Sequence, residues 1–275
     1  ANIRAALESY KQHNLVSQSD IPVIVGRFHP TTVLEEAAKD ADFVIESIIE
    51  NLAAKRDIFA RLEKICGVHT IFATNTSGLS PTEIATAIEN KERFVVAHFW
   101  NPPHLIPLVE VVPGKHTSQA TVDVTYDLLN KIGKKPVRLK REALGFIGNR
   151  IQAAALREAL HIVQSGIASA EDVDTVVEYS LGRRYSETGP LVSADLGGLD
   201  IFKNIFGYLG PDLCSDANIP DLLARTVAQG NLGAKTGAGF YPWPADKLAD
   251  ARKRREDELF RHREADMRQK KSGTK

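Results

Sequence analysis

Three side chains in the first half of the sequence have the types and placement for proton transfer. Ser77 lies in the polar run Asn75-Thr76-Ser77-Gly78, just after a β-branched stretch that ends at Thr74. His98 closes an apolar run and opens His98-Phe99-Trp100-Asn101-Pro102-Pro103. Glu110 is the one charge in Leu108-Val109-Glu110-Val111-Val112. A carboxylate inside an apolar strand is costly to bury unless it is paired, and an imidazole at the end of a neighbouring strand is a suitable partner. A hydroxyl, an imidazole and a buried carboxylate near one sheet edge suit an oriented, polarised base that moves a proton.

Such a constellation needs a sheet to carry it. Between residues 20 and 140, β-branched runs alternate with helical patterns. The predicted strands are 21–25, 43–49, 70–74, 94–99, 108–112 and 136–139; the predicted helices are 32–40, 52–65, 81–89 and 119–132. Within 52–65 the spacing puts Leu52, Ile58, Phe59, Leu62 and Ile65 on one helical face. Strands separated by helices of about 10–15 residues imply βαβ units and a parallel, doubly wound α/β sheet, whose ligands bind beyond the carboxyl ends of the strands. Past residue 143 the pattern is helical, at 146–164, 170–180, 199–208 and 219–229. Residues 1–13 also read as helix, and 245–275, where Arg and Lys interleave with Glu and Asp, as a solvated helix.

The length, 275 residues, suits two domains. Hydrophobic residues at 43 % and charged residues at 25 % fit a globular chain. Lys plus Arg equals Asp plus Glu, 35 against 35, so composition predicts neither a nucleic-acid nor a membrane partner. No apolar run approaches the ~20 residues that cross a bilayer. Cys66 and Cys214 lack CxxC spacing, which predicts no metal site and fits reducing, cytoplasmic surroundings. Ala1 in place of an initiator Met is read as leaving the natural beginning out, so no targeting signal is judged.

A dinucleotide-binding sheet carries GxGxxG directly after its first strand, where glycines let a pyrophosphate approach a helix N-terminus. No such run precedes residue 21. Gly233-Ala234-Lys235-Thr236-Gly237-Ala238-Gly239 follows no strand and reads as a loop. Either the α/β domain binds no dinucleotide, or its first strand, glycine loop and second strand lie ahead of this sequence.

Five linked motifs bear on that choice: Ile45-Glu46-Ser47-Ile48-Ile49-Glu50-Asn51-Leu52 followed by Lys55; Asn75-Thr76-Ser77; the segment from His98 to Glu110; Gly145-Phe146-Ile147-Gly148-Asn149-Arg150; and Lys235-Thr236-Gly237-Ala238-Gly239-Phe240-Tyr241. In order and spacing the chain resembles the L-3-hydroxyacyl-CoA dehydrogenase family. The resemblance implies a Rossmann-type sheet lacking its first βαβ unit over residues 1–142, a helical dimerisation and substrate domain over 143–244, and a charged tail over 245–275. It implies NAD as cofactor, a small-molecule substrate and a homodimer. His98 would match the base that takes the proton of the substrate's 3-hydroxyl, and Glu110 the carboxylate that orients it. Ser77 and Asn149 would match groups that hold the substrate oxygen, while Glu50, Lys55, Ser77 and Asn101 would match positions near the cofactor. The implied reaction is oxidation of an L-3-hydroxyacyl-CoA to the 3-ketoacyl-CoA, as in fatty acid β-oxidation. The short stretch before residue 20, with Arg4 and Lys11 as its basic candidates for CoA, together with Asn101-Pro102-Pro103 and the tail after Trp243, looks more like the λ-crystallin, L-gulonate dehydrogenase and diketoreductase side of the superfamily, whereas the Asn75-Thr76-Ser77 loop is closer to the acyl-CoA enzymes. That leaves two alternatives: a non-CoA 3-hydroxy acid or diketo ester as substrate (L-gulonate or carnitine type), and a catalytically silent crystallin-like protein. Without the glycine loop, negligible NAD binding and activity are expected of these residues alone.

Overall fold

The computed structural model describes residues 2–271; positions 1 and 272–275, which fall in the predicted first and last helices, lie outside the described residues. The chain forms two compact units, one of Ala1–Arg150 with Lys253–Lys275 and one of Ile151–Arg252.

In the first unit α1 (Asn2–Gln12), α2 (Asp20–Val25) and α3 (Leu34–Ala38) precede the sheet. There follow β1 (Phe43–Glu46), α4 (Leu52–Ile65), β2 (Ile71–Thr74), α5 (Pro81–Ile84), β3 (Phe94–Phe99), β4 (Leu108–Pro113), α6 (Gln119–Lys131) and β5 (Lys135–Arg138). The strands stand in the order β1-β2-β3-β4-β5. Pairs β1–β2, β2–β3 and β4–β5 are parallel, so the architecture is Rossmann-like. Alternate residues of one strand serve opposite faces of the sheet. Phe72 and Phe94 pack with Phe59 and Leu62 of α4 and Ile84 of α5, whereas Ala73 and Val95 pack with Val122 and Leu129 of α6. Helices therefore cover both faces. Asn51 starts α4 by accepting a hydrogen bond from Ala54 N, and Ser118 starts α6 by accepting one from Thr121 N.

Two expectations are corrected. Residues 21–25 form α2, not a strand. Ser17 and Asp20 exchange hydrogen bonds at its start (Ser17 N to Asp20 Oδ2, 2.8 Å; Asp20 N to Ser17 Oγ, 3.2 Å). Pro22 falls in the first turn, where its missing N–H goes unneeded, and Ile21 alone of this helix is buried. The sheet is also not wholly parallel, because β3 and β4 run antiparallel. Their connection, residues 100–107, carries no helix and is too short for a parallel crossover.

The chain leaves the first unit in α7 (Gly148–Gln164). The second unit holds α8 (Ala170–Val176), a π-helical stretch Val177–Leu181, α9 (Gly182–Tyr185), α10 (Pro190–Gly197), α11 (Leu199–Leu209) and α12 (Asp221–Ala228). Large apolar side chains stay exposed on it, among them Leu191, Leu196, Tyr208 and Ile219. The final helix, α13 (Ala245–Lys271), returns the chain to the first unit. There Phe260 is fully buried, stacked on His13 at 3.8 Å between ring centroids and edge-on to Tyr10 at 5.6 Å. Among the described residues no helix is long and apolar enough to cross a membrane.

Phe59 is completely buried against the rings of Phe72 (5.8 Å) and Phe94 (4.8 Å). Phe59→Ala is expected to lower the unfolding free energy by about 3–5 kcal/mol, read as an earlier urea midpoint by circular dichroism. A loss below about 1 kcal/mol would mean that this cluster does not organise the sheet.

Candidate active site

The antiparallel pairing sets His98 directly opposite Glu110. Directly paired residues project from the same face of a sheet, so the register alone brings imidazole and carboxylate together. The His98 Nδ1 to Glu110 Oε2 distance is 2.9 Å, with both side chains buried. Three further donors converge on the carboxylate. Trp100 Nε1 donates to Oε2 at 3.2 Å, while Ile147 N and Gly148 N donate to Oε1 at 2.8 and 3.1 Å.

The last two are free N–H groups at the start of α7, where a helix favours negative charge. They are aimed by a turn in which Gly145 (φ +73°) and Phe146 (φ +54°) are both left-handed. The backbone cost of a left-handed Phe is met by burial of its ring, which lies 5.5 Å from that of His98. The glycine at 148 is required by contact: a Cβ there would sit 2.2 Å from Cζ2 of Trp100. Burial pushes the Glu110 carboxyl up, but the hydrogen bonds from His98, Gly148, Ile147 and Trp100 outweigh it and hold the group below the ordinary carboxylate range. An anion fixed at Nδ1 holds that proton in place, leaves Nε2 as the free base and stabilises the ring once it is protonated.

A second network lies at the carboxyl ends of β1 and β2. Lys55 is not a surface lysine: it is buried, with Nζ 2.8 and 3.0 Å from the two oxygens of Glu46. Thr74 Oγ1 also donates to Glu46 Oε2, at 2.6 Å. Lys55 Nζ lies 3.4 Å from Glu50, whose carboxylate stays 45 % exposed while accepting from Thr76 Oγ1 and Ser77 N. Burial pushes Glu50 up, but those hydrogen bonds and the Lys55 charge bring it below the usual range. Asn149 Nδ2 donates to the Ser77 carbonyl at 2.9 Å, tying the Ser77 loop to the start of α7. Asn101 is exposed and makes no side-chain hydrogen bond among the described residues. Lys11 is held by Glu8 and Gln18.

The structure thus joins His98 to Glu110, Asn149 to Ser77, and Glu50 to both Lys55 and Ser77. Sequence reasoning missed Glu46, Thr76, Trp100 and the two backbone donors. Glu46 carried a usable signal, a charge ending the otherwise apolar strand 43–46. So did Trp100, which at two residues from His98 has the spacing of a strand's same face.

A covered, mainly parallel sheet with an imidazole–carboxylate pair at the carboxyl end of a central strand is the frame of an α/β enzyme with an oriented base where such sheets bind ligands. The chain belongs to the 3-hydroxyacyl-CoA dehydrogenase family: the family's NAD binding domain matches residues 1–143 and its C-terminal domain residues 145–243. It is 36 % identical to the 5-formyl-3-hydroxy-2-methylpyridine 4-carboxylate 5-dehydrogenase of Mesorhizobium japonicum, over 79 % of this chain and 70 % of that protein. It is 41 % identical to the mitochondrial hydroxyacyl-coenzyme A dehydrogenase of Homo sapiens, over 74 % of this chain and 64 % of that one. A crystal structure of a dehydrogenase named for the same pyridine substrate, described as an NAD+-dependent dismutase, superposes with a TM-score of 0.84 at 33 % identity. It covers 86 % of this chain and 77 % of that one. NAD is the cofactor of this family.

A carboxylate whose folded value lies below its unfolded one stabilises the fold above the unfolded value and loses that contribution as pH falls through the folded one. Glu110 is such a group. Glu110→Gln is expected to cost about 1–3 kcal/mol at pH 7, and the gap to wild type should narrow as pH drops below about 4.5. Urea midpoints across pH 3–7 check this, and a constant gap would show that the carboxylate's charge does not contribute.

Proposed function

We propose that the protein oxidises the 3-hydroxyl of an L-3-hydroxyacyl-CoA to the 3-ketone in an NAD-dependent reaction, with His98 as general base. The observation that supports this is the Nδ1 contact of His98 with a carboxylate already saturated by three other donors. His98 Nε2 takes the hydroxyl proton, and Glu110 keeps the Nδ1 proton in place and stabilises the resulting imidazolium. The Ser77 hydroxyl and the Asn149 amide hold the substrate oxygen as it passes from hydroxyl to carbonyl.

The residues present fit one end of the cofactor. Glu50, oriented by Thr76, Ser77 N and Lys55 and still exposed, is an acceptor suited to ribose hydroxyls; Ser77 and Asn101 lie on neighbouring loops at the carboxyl edge. When bound, NAD supplies the acceptor for the hydride that leaves C3. No glycine-rich turn joins a strand to a helix among the described residues, so a test needs the chain joined to a βαβ unit that carries one. In that form it is expected to oxidise 3-hydroxybutyryl-CoA with NAD, and His98→Gln is expected to lower kcat by about 10²–10⁴-fold. No turnover, or turnover untouched by the substitution, would overturn the reading.

A second reading keeps the chemistry and changes the substrate. The Mesorhizobium relative is named for a pyridine carboxylate rather than a CoA ester. Preference for such a compound over 3-hydroxybutyryl-CoA in the same assay would favour it.

The helical unit supports a homodimer. Leu191 and Leu196 are 82 % and 77 % exposed, and apolar surface of that kind is what subunit contacts cover. Sedimentation at micromolar concentration is expected to give the dimer mass, and a lone monomer species would count against it.

A further inference from the structure

Trp100 has no assigned part in this chemistry, yet its indole N–H reaches the same Glu110 oxygen that faces His98, at 3.2 Å. Its ring lies 5.8 Å from that of His98 and presses on Gly148, where a Cβ would meet Cζ2 at 2.2 Å. The indole is therefore lodged in a slot made by the absence of a side chain at 148, with its one polar atom spent on the carboxylate.

We propose that Trp100 is a positioning residue that shares the Glu110 Oε2 lone pairs with His98 Nδ1, and so sets how strongly the carboxylate favours the protonated ring. A carboxylate oxygen that accepts two donors holds each less strongly than if it served one alone. Trp100 thereby moderates the pull of Glu110 on the Nδ1 proton of His98. This deepens the reading of His98 as a base and rests on it for its role in catalysis, though not for the contact itself.

The groups packed around the pair leave few other electrostatic controls. Phe146, Ile147 N and Gly148 N do not titrate. On α7, Arg150 bonds the Leu144 carbonyl. Beside β2, Glu50 and Lys55 are tied to Thr76, Ser77 and Glu46. On β5, Arg138 pairs with Asp123, and Lys135 stands three residues from it along the strand. Among the described residues none of these charges bonds His98 or Glu110.

The test uses the 275-residue chain, labelled for NMR. With two tryptophans in the sequence, Trp243→Phe assigns the indole signal of Trp100. In wild type that signal is expected to move with pH at the midpoint of the His98 ring signals, and Glu110→Gln to abolish the movement. Trp100→Phe is expected to raise the pH at which the His98 ring takes its proton by about 0.5–1 unit, roughly half the worth of one hydrogen bond to a charged group. Gly148→Ala, which displaces the indole, should shift it the same way. An indole signal that stays flat while His98 titrates overturns the proposal, as does an unchanged or lowered midpoint in Trp100→Phe. The wild-type titration decides the matter even if a variant fails to fold. In the chain joined to a glycine-loop unit, the acid limb of kcat/KM should move with the ring midpoint; a limb that stays put overturns the catalytic part. An enzyme inactive on every substrate, with the NMR coupling intact, instead removes the dehydrogenase reading and leaves the positioning of the pair standing.

Discussion

One buried negative charge organises the sheet unit. Glu110 sits in a strand whose neighbours are valines, and such a charge is tolerated only when its oxygens are fully engaged. Its donors come from three places: the end of β3, the loop just beyond it, and the first turn of α7. Each requires a separate piece of structure to be right. The β3–β4 register must put 98 opposite 110, since a slip of one residue would turn both side chains to the wrong face. The 145–146 turn must be left-handed, and position 148 must lack a side chain. Burial of the carboxylate thus ties the end of the sheet to the beginning of α7.

The other polar network follows a different rule. Glu46 and Lys55 form a buried ion pair that leaves no charge for a ligand, whereas Glu50, tied to the same lysine, keeps its carboxylate half-exposed. The depth of each acid decides its role. The inner one fixes α4 against β1, and the outer one is oriented from behind and faces solvent. At the same edge Asn149 closes the Ser77 loop onto α7, so the polar groups above the strands are held by packed elements rather than by free loops.

Much of this was legible in the residues, for identifiable reasons. Glu110 and His98 stood out because a charge in an apolar strand needs a partner, and α4 because its apolar spacing had a single period. Residues 21–25 were misread because a run of five apolar residues fits a buried strand and a short helix equally well; the Ser17–Asp20 exchange and the position of Pro22 tip the balance. The antiparallel step at β3–β4 was hidden in a connection whose length, rather than its composition, forbids a crossover. The donors from Ile147 and Gly148 are backbone atoms, and side-chain patterns do not display them. Trp100 stands at same-face spacing from His98, but the slot that admits its ring is made by a residue with no side chain, which the pattern does not display.

The burial of Phe260 between Tyr10 and His13 bears on how the molecule is assembled. The sheet unit is interrupted: its chain departs at Arg150 and comes back only at Lys253. During synthesis Tyr10 and His13 emerge before the helical segment that separates them from Phe260, so this aromatic cluster closes only after that segment has been made. Contacts so distant along the chain carry a large closure entropy and form late. Until Phe260 arrives, the rings of Tyr10 and His13 stay open to solvent and to other chains, and α13 serves as the latch that closes over them.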